Sequence, residues 1–176
     1  VYKAPGEYVK VSTSVSYFSL ALLLLLTGCV TTPDEQAAVT SESKKPAFVV
    51  VNVLSKEFYD DCHIKGSIQL DYDAVMDYAA KNWDKESTEI VIYCSNFMCS
   101  ASGEVRNQLR AAGYKKVRAY EGGTAEAHAK GLPMVGPCKE GYLKQAEKPA
   151  GAVEHSPEDV IEIDELKKLL QEHKLI

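Results

Sequence analysis

The sequence predicts an α/β fold, a single domain on a largely parallel central sheet flanked by helices, with a strand-helix extension at the C-terminus. Three observations carry that expectation. Strand-like runs ("AFVVVNVLS", "EIVIYC" and "KKVRAY") recur along the chain, and helical spacing follows each of them. The first two are β-branched and apolar without alternation, as strands covered on both faces are. The chain has 176 residues, 45% of them hydrophobic and 26% charged, enough for one domain with a sizeable core.

From the N-terminus, "YFSLALLLLL" (residues 17–26) is an apolar run followed by small residues and Cys29. A membrane-spanning helix needs roughly 20 apolar residues, so this shorter run suits a signal-peptide core, preceded here by Lys3 and Lys10. Leu26-Thr27-Gly28-Cys29 resembles the bacterial lipobox. That resemblance implies a signal peptide over 1–28, lipid on Cys29, and a membrane-anchored protein of the cell envelope facing the periplasm. Val30, rather than an aspartate, follows the cysteine, which by the same resemblance favours the outer membrane. Residues 29–46, including "TTPDEQAAVTSESKKP", are polar and rich in Ser, Thr, Pro and charge, and read as a flexible tether.

The ordered domain is expected over 47–137. "AFVVVNVLS" opens it as a buried strand, and "SKEFYDDCHIKGSIQLD" gives a short helix, a loop and a short strand. In "YDAVMDYAAKNW", Val75, Met76, Ala79, Ala80 and Trp83 fall at helical spacing. "EIVIYC" is the next buried strand, and "SASGEVRNQLRAAGY" a helix closed by Gly113. "KKVRAYEGG" is a strand ending in a glycine turn, and "TAEAHAKGLP" a helix stopped by Gly131 and Pro133. Sites in parallel sheets lie beyond the carboxyl ends of the strands, which is where Cys94 stands.

The net charge of −5, with signs interspersed, gives no support for a nucleic-acid partner. No cofactor motif is present and none is expected. Of the five cysteines, Cys29 has its own fate as the lipid acceptor, which leaves Cys62, Cys94, Cys99 and Cys138 in an oxidising compartment.

The domain resembles the rhodanese (sulfurtransferase) family over roughly 47–136. "CHIKGSIQL" is similar to the family's G-H-I-P-G-A-I segment at His63, Ile64, Gly66 and Ile68. "VIYC", five loop residues and "SA" match its strand, nucleophile and active loop, and "LRAAGYKKVRAYEGG" and "GLP" match its closing part in order. The resemblance implies that Cys94 is a nucleophile that takes up sulfane sulfur as a persulfide and passes it to a thiol acceptor. Ser95, Asn96, Phe97, Met98, Cys99 and Ser100 would form the substrate-binding loop, and the partners would be a small sulfur-containing donor and a thiol. Loop amides and the start of the following helix favour a thiolate there.

The departures are informative. The loop carries no basic residue, Cys99 stands where the family often has an arginine, Asn52-Val53-Leu54 replaces Asp-x-Arg, and Ala127 replaces a tryptophan. The cations that hold thiosulfate are therefore missing. Cys99 could resolve a persulfide or disulfide on Cys94, giving a thiol-disulfide or persulfide relay. Loss of the basic residues also keeps open a non-catalytic binding module. A Cu(I) site with Met98 would need more ligands than one loop supplies, so no metal is expected. His63 is expected to order a turn, Cys62 and Cys138 are candidates to pair, and Glu121-Gly122-Gly123 should turn near the active loop. His128, His155 and His173 are expected on the surface.

Residues 138–176 begin with the polar, irregular "CKEGYLKQAEKPAGAVEHSPED". "VIEIDELKKLLQEHKLI" then reads as a short strand and an amphipathic helix with Leu166, Leu169 and Leu170 on one face and Asp164 as its cap. This unit resembles the strand-helix opening of a rhodanese domain, which is missing before Ala47. It could fill that position in permuted form. A tail helix that docks elsewhere or mediates dimerisation is the favoured expectation.

Overall fold

Strands β1 (Phe48–Asn52) and β4 (Glu89–Tyr93) lie side by side in the middle of a parallel sheet, with β3 (Ile68–Gln69) outside β1 and β5 (Val117–Tyr120) outside β4. The computed structural model describes residues 44–176; the expectations for the signal segment, Cys29 and most of the tether lie outside the described residues. Phe48 pairs with Glu89 and Asn52 with Tyr93, so two β-branched runs align along their whole length. Ile90 to Tyr93 then pair with Val117 to Tyr120. The sheet is parallel throughout, as the unbroken apolar runs require.

Period-2 alternation divides the core. Val51, Val53, Ile90, Ile92, Cys94 and Val117 face α2 (Val75–Asn82) and α3 (Ala101–Ala111), meeting Val75, Ala79, Trp83, Val105 and Leu109. Met76 packs at the margin of this layer, while Ala80, expected on the same face, is exposed. The other face of the sheet presents Phe48, Val50, Val91, Tyr93 and Tyr120 to α4 (Gly123–Ala129) and α5 (Ile163–Glu172). Gly113 closes α3 with a φ of 95°, a conformation open to glycine because it lacks Cβ.

Outside the main sheet, α1 (Lys56–Asp61) leads into β2 (His63–Ile64), which pairs antiparallel with β6 (Met134–Val135). His63 Nδ1 lies 2.7 Å from the Tyr59 carbonyl oxygen, and its ring stacks on Tyr59, so the histidine does order a turn. The buried Tyr93 hydroxyl accepts from the Ile64 N–H at 3.1 Å and meets Ser67 Oγ at 2.8 Å. The residue before Cys94 thus ties β4 to the "HIKGS" segment. Cys62 and Cys138 form a disulfide, joining α1 to the start of the C-terminal segment.

That segment closes the sheet rather than docking elsewhere. Val160 makes a parallel bridge to Ala119, Ala119 N–H donates to Asp159 at 2.9 Å, and Ile161 N–H donates back to Ala119 at 2.9 Å. The edge of β5 is thereby covered. Arg110 pairs with Asp159 and with the Glu158 carbonyl, and Arg106 Nη1 donates to the Asp159 carbonyl at 3.1 Å. Ile161, Leu166 and Leu170 are fully buried against Phe48, Val50, Ile64 and Val91. The favoured tail-helix expectation is therefore corrected: strand and helix occupy an edge and face of this same sheet, as the permuted alternative requires. Asp164 is not the cap. Glu162 holds the N-cap position in extended geometry without a side-chain bond, and Asp164 sits in the first turn beside Glu165, where acidic groups complement the helix dipole.

Candidate active site

Cys94 follows the last residue of β4, at the carboxyl edge of the sheet and below the N-terminal end of α3. Its carbonyl accepts from the N–H of Thr124 at 3.0 Å and from Thr124 Oγ1 at 3.1 Å, and the Ser95 carbonyl accepts from Ala125 N–H at 2.9 Å. The start of α4 therefore holds the first two residues of the loop. Gly123 makes that approach possible. Its φ is 59°, and a Cβ there would stand 2.7 Å from the Cys94 carbonyl oxygen and 2.8 Å from the Asn96 nitrogen. The expected turn near the active loop is thus in direct contact with it.

Within the loop, Asn96 has a structural task. Its Oδ1 accepts from Met98 N–H at 3.0 Å, its backbone carbonyl accepts from Cys99 N–H at 3.0 Å, and its Nδ2 donates to Gln145 at 3.2 Å. The result is a tight turn that brings Cys99 back over Cys94. Phe97 and Cys99 are half-buried, Ser100 is exposed, and Met98 projects into solvent with 74% of its surface exposed. Ser100 Oγ donates to Glu104 at 2.6 Å, so this hydroxyl is turned to the helix and not to the cysteines.

The two thiols differ in environment. Cys94 has no exposed surface; its Sγ lies 3.3 Å from the Cys99 carbonyl oxygen and 3.6 Å from Ser102 Oγ. A carbonyl oxygen only accepts, so Cys94 is placed to carry a proton. Its thiol is pushed well above the ordinary range by the neighbouring Cys99 and by burial. Cys99 shifts the other way, down to about 5, because the neighbouring Cys94 thiol favours its charged form and the amides of Ala101 and Ser95 add to that, outweighing its partial burial.

Cys99, Phe97, Met98 and Ser100 open onto a cavity of about 570 Å³, whereas Cys94, Ser95 and Asn96 lie behind them. The far wall is a strap over 148–155 that includes Lys148, Val153 and His155. The basic side chains on this cavity are already engaged. Lys148 pairs with Glu154 at 3.0 Å, His155 lies 3.3 Å from Glu121, and Arg106 is bound to Asn107 and the Asp159 carbonyl. His155 lines the cavity, beyond the plain surface role expected for it, while His128 is exposed and His173 stacks on Phe48. Among the described residues no group of three or more His, Cys, Asp or Glu side chains is placed to hold a metal ion, and no helix is long and apolar enough to cross a membrane.

Sequence reasoning passed over Ser102, Thr124, Gln145 and the 148–155 strap. Ser102 was open to discovery, since the first turn of a helix that starts at the loop must face back toward Cys94. The strap gave no such signal, since its run of small residues and proline has neither helical nor strand period.

The family described as Rhodanese-like domain matches residues 35–130, more than half of the chain. Among solved structures, the chain is similar to the Alr3790 protein from Anabaena sp., with 29% identity over 54% of this chain and 72% of that one, at a TM-score of 0.47. It is also similar to a rhodanese with anions from E. coli, at 24% identity, 51% and 99% coverage and a TM-score of 0.42. A thiosulfate sulfurtransferase from Pseudomonas aeruginosa matches at 15% identity over 51% of this chain but 17% of that one, at a TM-score of 0.47. No curated protein matches the sequence.

Proposed function

The chain belongs to the rhodanese-like domain family, and we propose that it transfers sulfane sulfur through a persulfide carried on Cys94, from a small donor to a thiol acceptor. The observation that carries this reading is the placement of Cys94 at the end of the central strand, under the α3 N-terminus, in a loop held by Asn96 and by the α4 amides. A second thiol at Cys99 gives specific support to a variant of the same reading, in which the pair also cycles through a disulfide. The loop residues Ser95 to Ser100 would shape the donor site.

The electrostatics favour an uncharged or monoanionic donor, such as a persulfide or polysulfide, over the thiosulfate dianion. Glu104 and Glu121 line the cavity, and its cations are engaged elsewhere. Lipid on Cys29 would hold this chemistry at the cell envelope, facing the periplasm and most simply on the outer membrane; globomycin-sensitive processing and palmitate labelling lost in Cys29→Ala would support that placement, and unlabelled protein would refute it. For the activity itself, steady-state sulfur transfer to a thiol acceptor should fall at least about tenfold in Cys94→Ser. An unchanged rate in that variant would overturn the assignment of Cys94.

A further inference from the structure

Cys94 has no surface open to a donor, and its Sγ faces an acceptor-only carbonyl. Cys99, five residues on, is half-buried and lines the cavity together with the exposed Met98 and Val153. From this geometry we infer that sulfur is first captured by Cys99 and is handed to Cys94 in a second, intramolecular step. The inference rests on the sulfur-transfer reading above and assigns the order in which its two thiols act.

The chemistry balances without an outside oxidant. The Cys99 thiolate attacks the terminal sulfur of a donor persulfide, R–S–SH. A Cys99–sulfur bond forms, the donor S–S bond breaks, and R–S⁻ leaves with the electron pair. Cys94 then attacks the terminal sulfur now on Cys99. The new bond is Cys94–sulfur, Cys99 leaves as the thiolate, and the Cys94 proton passes to the R–S⁻ or to solvent. Both steps exchange one sulfane sulfur between thiols, so the cysteine pair is neither oxidised nor reduced overall.

Three features fit this order. The more exposed sulfur is also the one pushed toward the thiolate, by the neighbouring Cys94 thiol first and then by the amides of Ala101 and Ser95. Cys94 Sγ lies 3.3 Å from the carbonyl oxygen of Cys99 itself, so the two residues already meet across the loop. Burial of Cys94 shields a persulfide there from water. The titratable and charged groups that share the cavity with Cys99 are Glu104, Glu121, Lys148, Arg106 and His155; the two acids and two bases are of opposite sign, so no single strong field acts on it.

The test is rapid-quench loading of the purified full chain with an alkyl persulfide at neutral pH. Trapping with an alkylating agent and fragmentation mass spectrometry then locate the added sulfur. Sulfur should be found on Cys99 before Cys94 in the unaltered protein, which requires no variant to fold. Cys94→Ser should still take up sulfur on Cys99, and loading of Cys94 in Cys99→Ser should be slowed by at least about tenfold. Loading of Cys94 at the wild-type rate in Cys99→Ser, or first appearance of sulfur on Cys94, would overturn this order while leaving sulfur transfer intact. Absence of sulfur on either cysteine would instead overturn the transfer reading itself.

Discussion

Deleting residues 151–176 should unfold the domain. The deletion removes Ile161, Leu166 and Leu170, each with 0–1% of its surface exposed, and uncovers Phe48, Val50, Ile64 and Val91. Burying one such side chain contributes about 1.5–3 kcal/mol, so the three together are worth about 5–9 kcal/mol on an extended-chain reference. That is comparable to the whole stability of a typical domain, about 5–15 kcal/mol. The Val160 bridge and the Arg110–Asp159 pair are lost as well. Urea unfolding followed through the fluorescence of Trp83, the only tryptophan and 2% exposed, measures the effect directly. A graded version is Leu166→Ala, expected to cost about 2–5 kcal/mol. A soluble truncated chain with an unchanged urea midpoint would refute the claim that this segment completes the sheet.

The loop and its supports can be tested in the same way. Gly123→Ala combines a positive φ with a Cβ driven against the backbone of Cys94 and Asn96, so it should destabilise by about 2–5 kcal/mol and depress sulfur loading. Breaking the Cys62–Cys138 disulfide, which spans 76 residues, should cost about 4–5 kcal/mol on the chain-entropy model, read as a lower urea midpoint in Cys62→Ser/Cys138→Ser. Alkylation of Cys99 should proceed at a nearly constant rate at neutral pH and slow as pH falls through about 5, where its thiolate is protonated. An alkylation profile centred on the ordinary thiol range would show that the loop does not hold a thiolate.

Much of this architecture could be read from residue order, and the exceptions have identifiable causes. The central strands were legible because "FVVVN" and "EIVIY" are buried on both faces, which leaves an apolar run with no polar alternation. Gly113 announced the end of α3 for a reason local to its own backbone. The C-terminal helix showed its apolar face in Leu166 and Leu170, but such a face can meet any partner, and only the pairing of Val160 with Ala119 decides where it docks. Ala80 misled because helical spacing alone does not say how wide the covered stripe is. At the site, the sequence placed Cys94 at a strand end and Cys99 across a short loop. It could not distinguish their exposure, since that depends on the turn made by Asn96 and on the strap over 148–155.

The central claim is that this loop carries sulfane sulfur, and intact-mass measurement after incubation of the reduced protein with a persulfide or polysulfide tests it most directly. The account predicts a gain of one sulfur atom that a thiol reductant removes and that Cys94→Ser/Cys99→Ser abolishes. No gain from persulfide, polysulfide or thiosulfate, in protein whose loop thiols still alkylate, would contradict it.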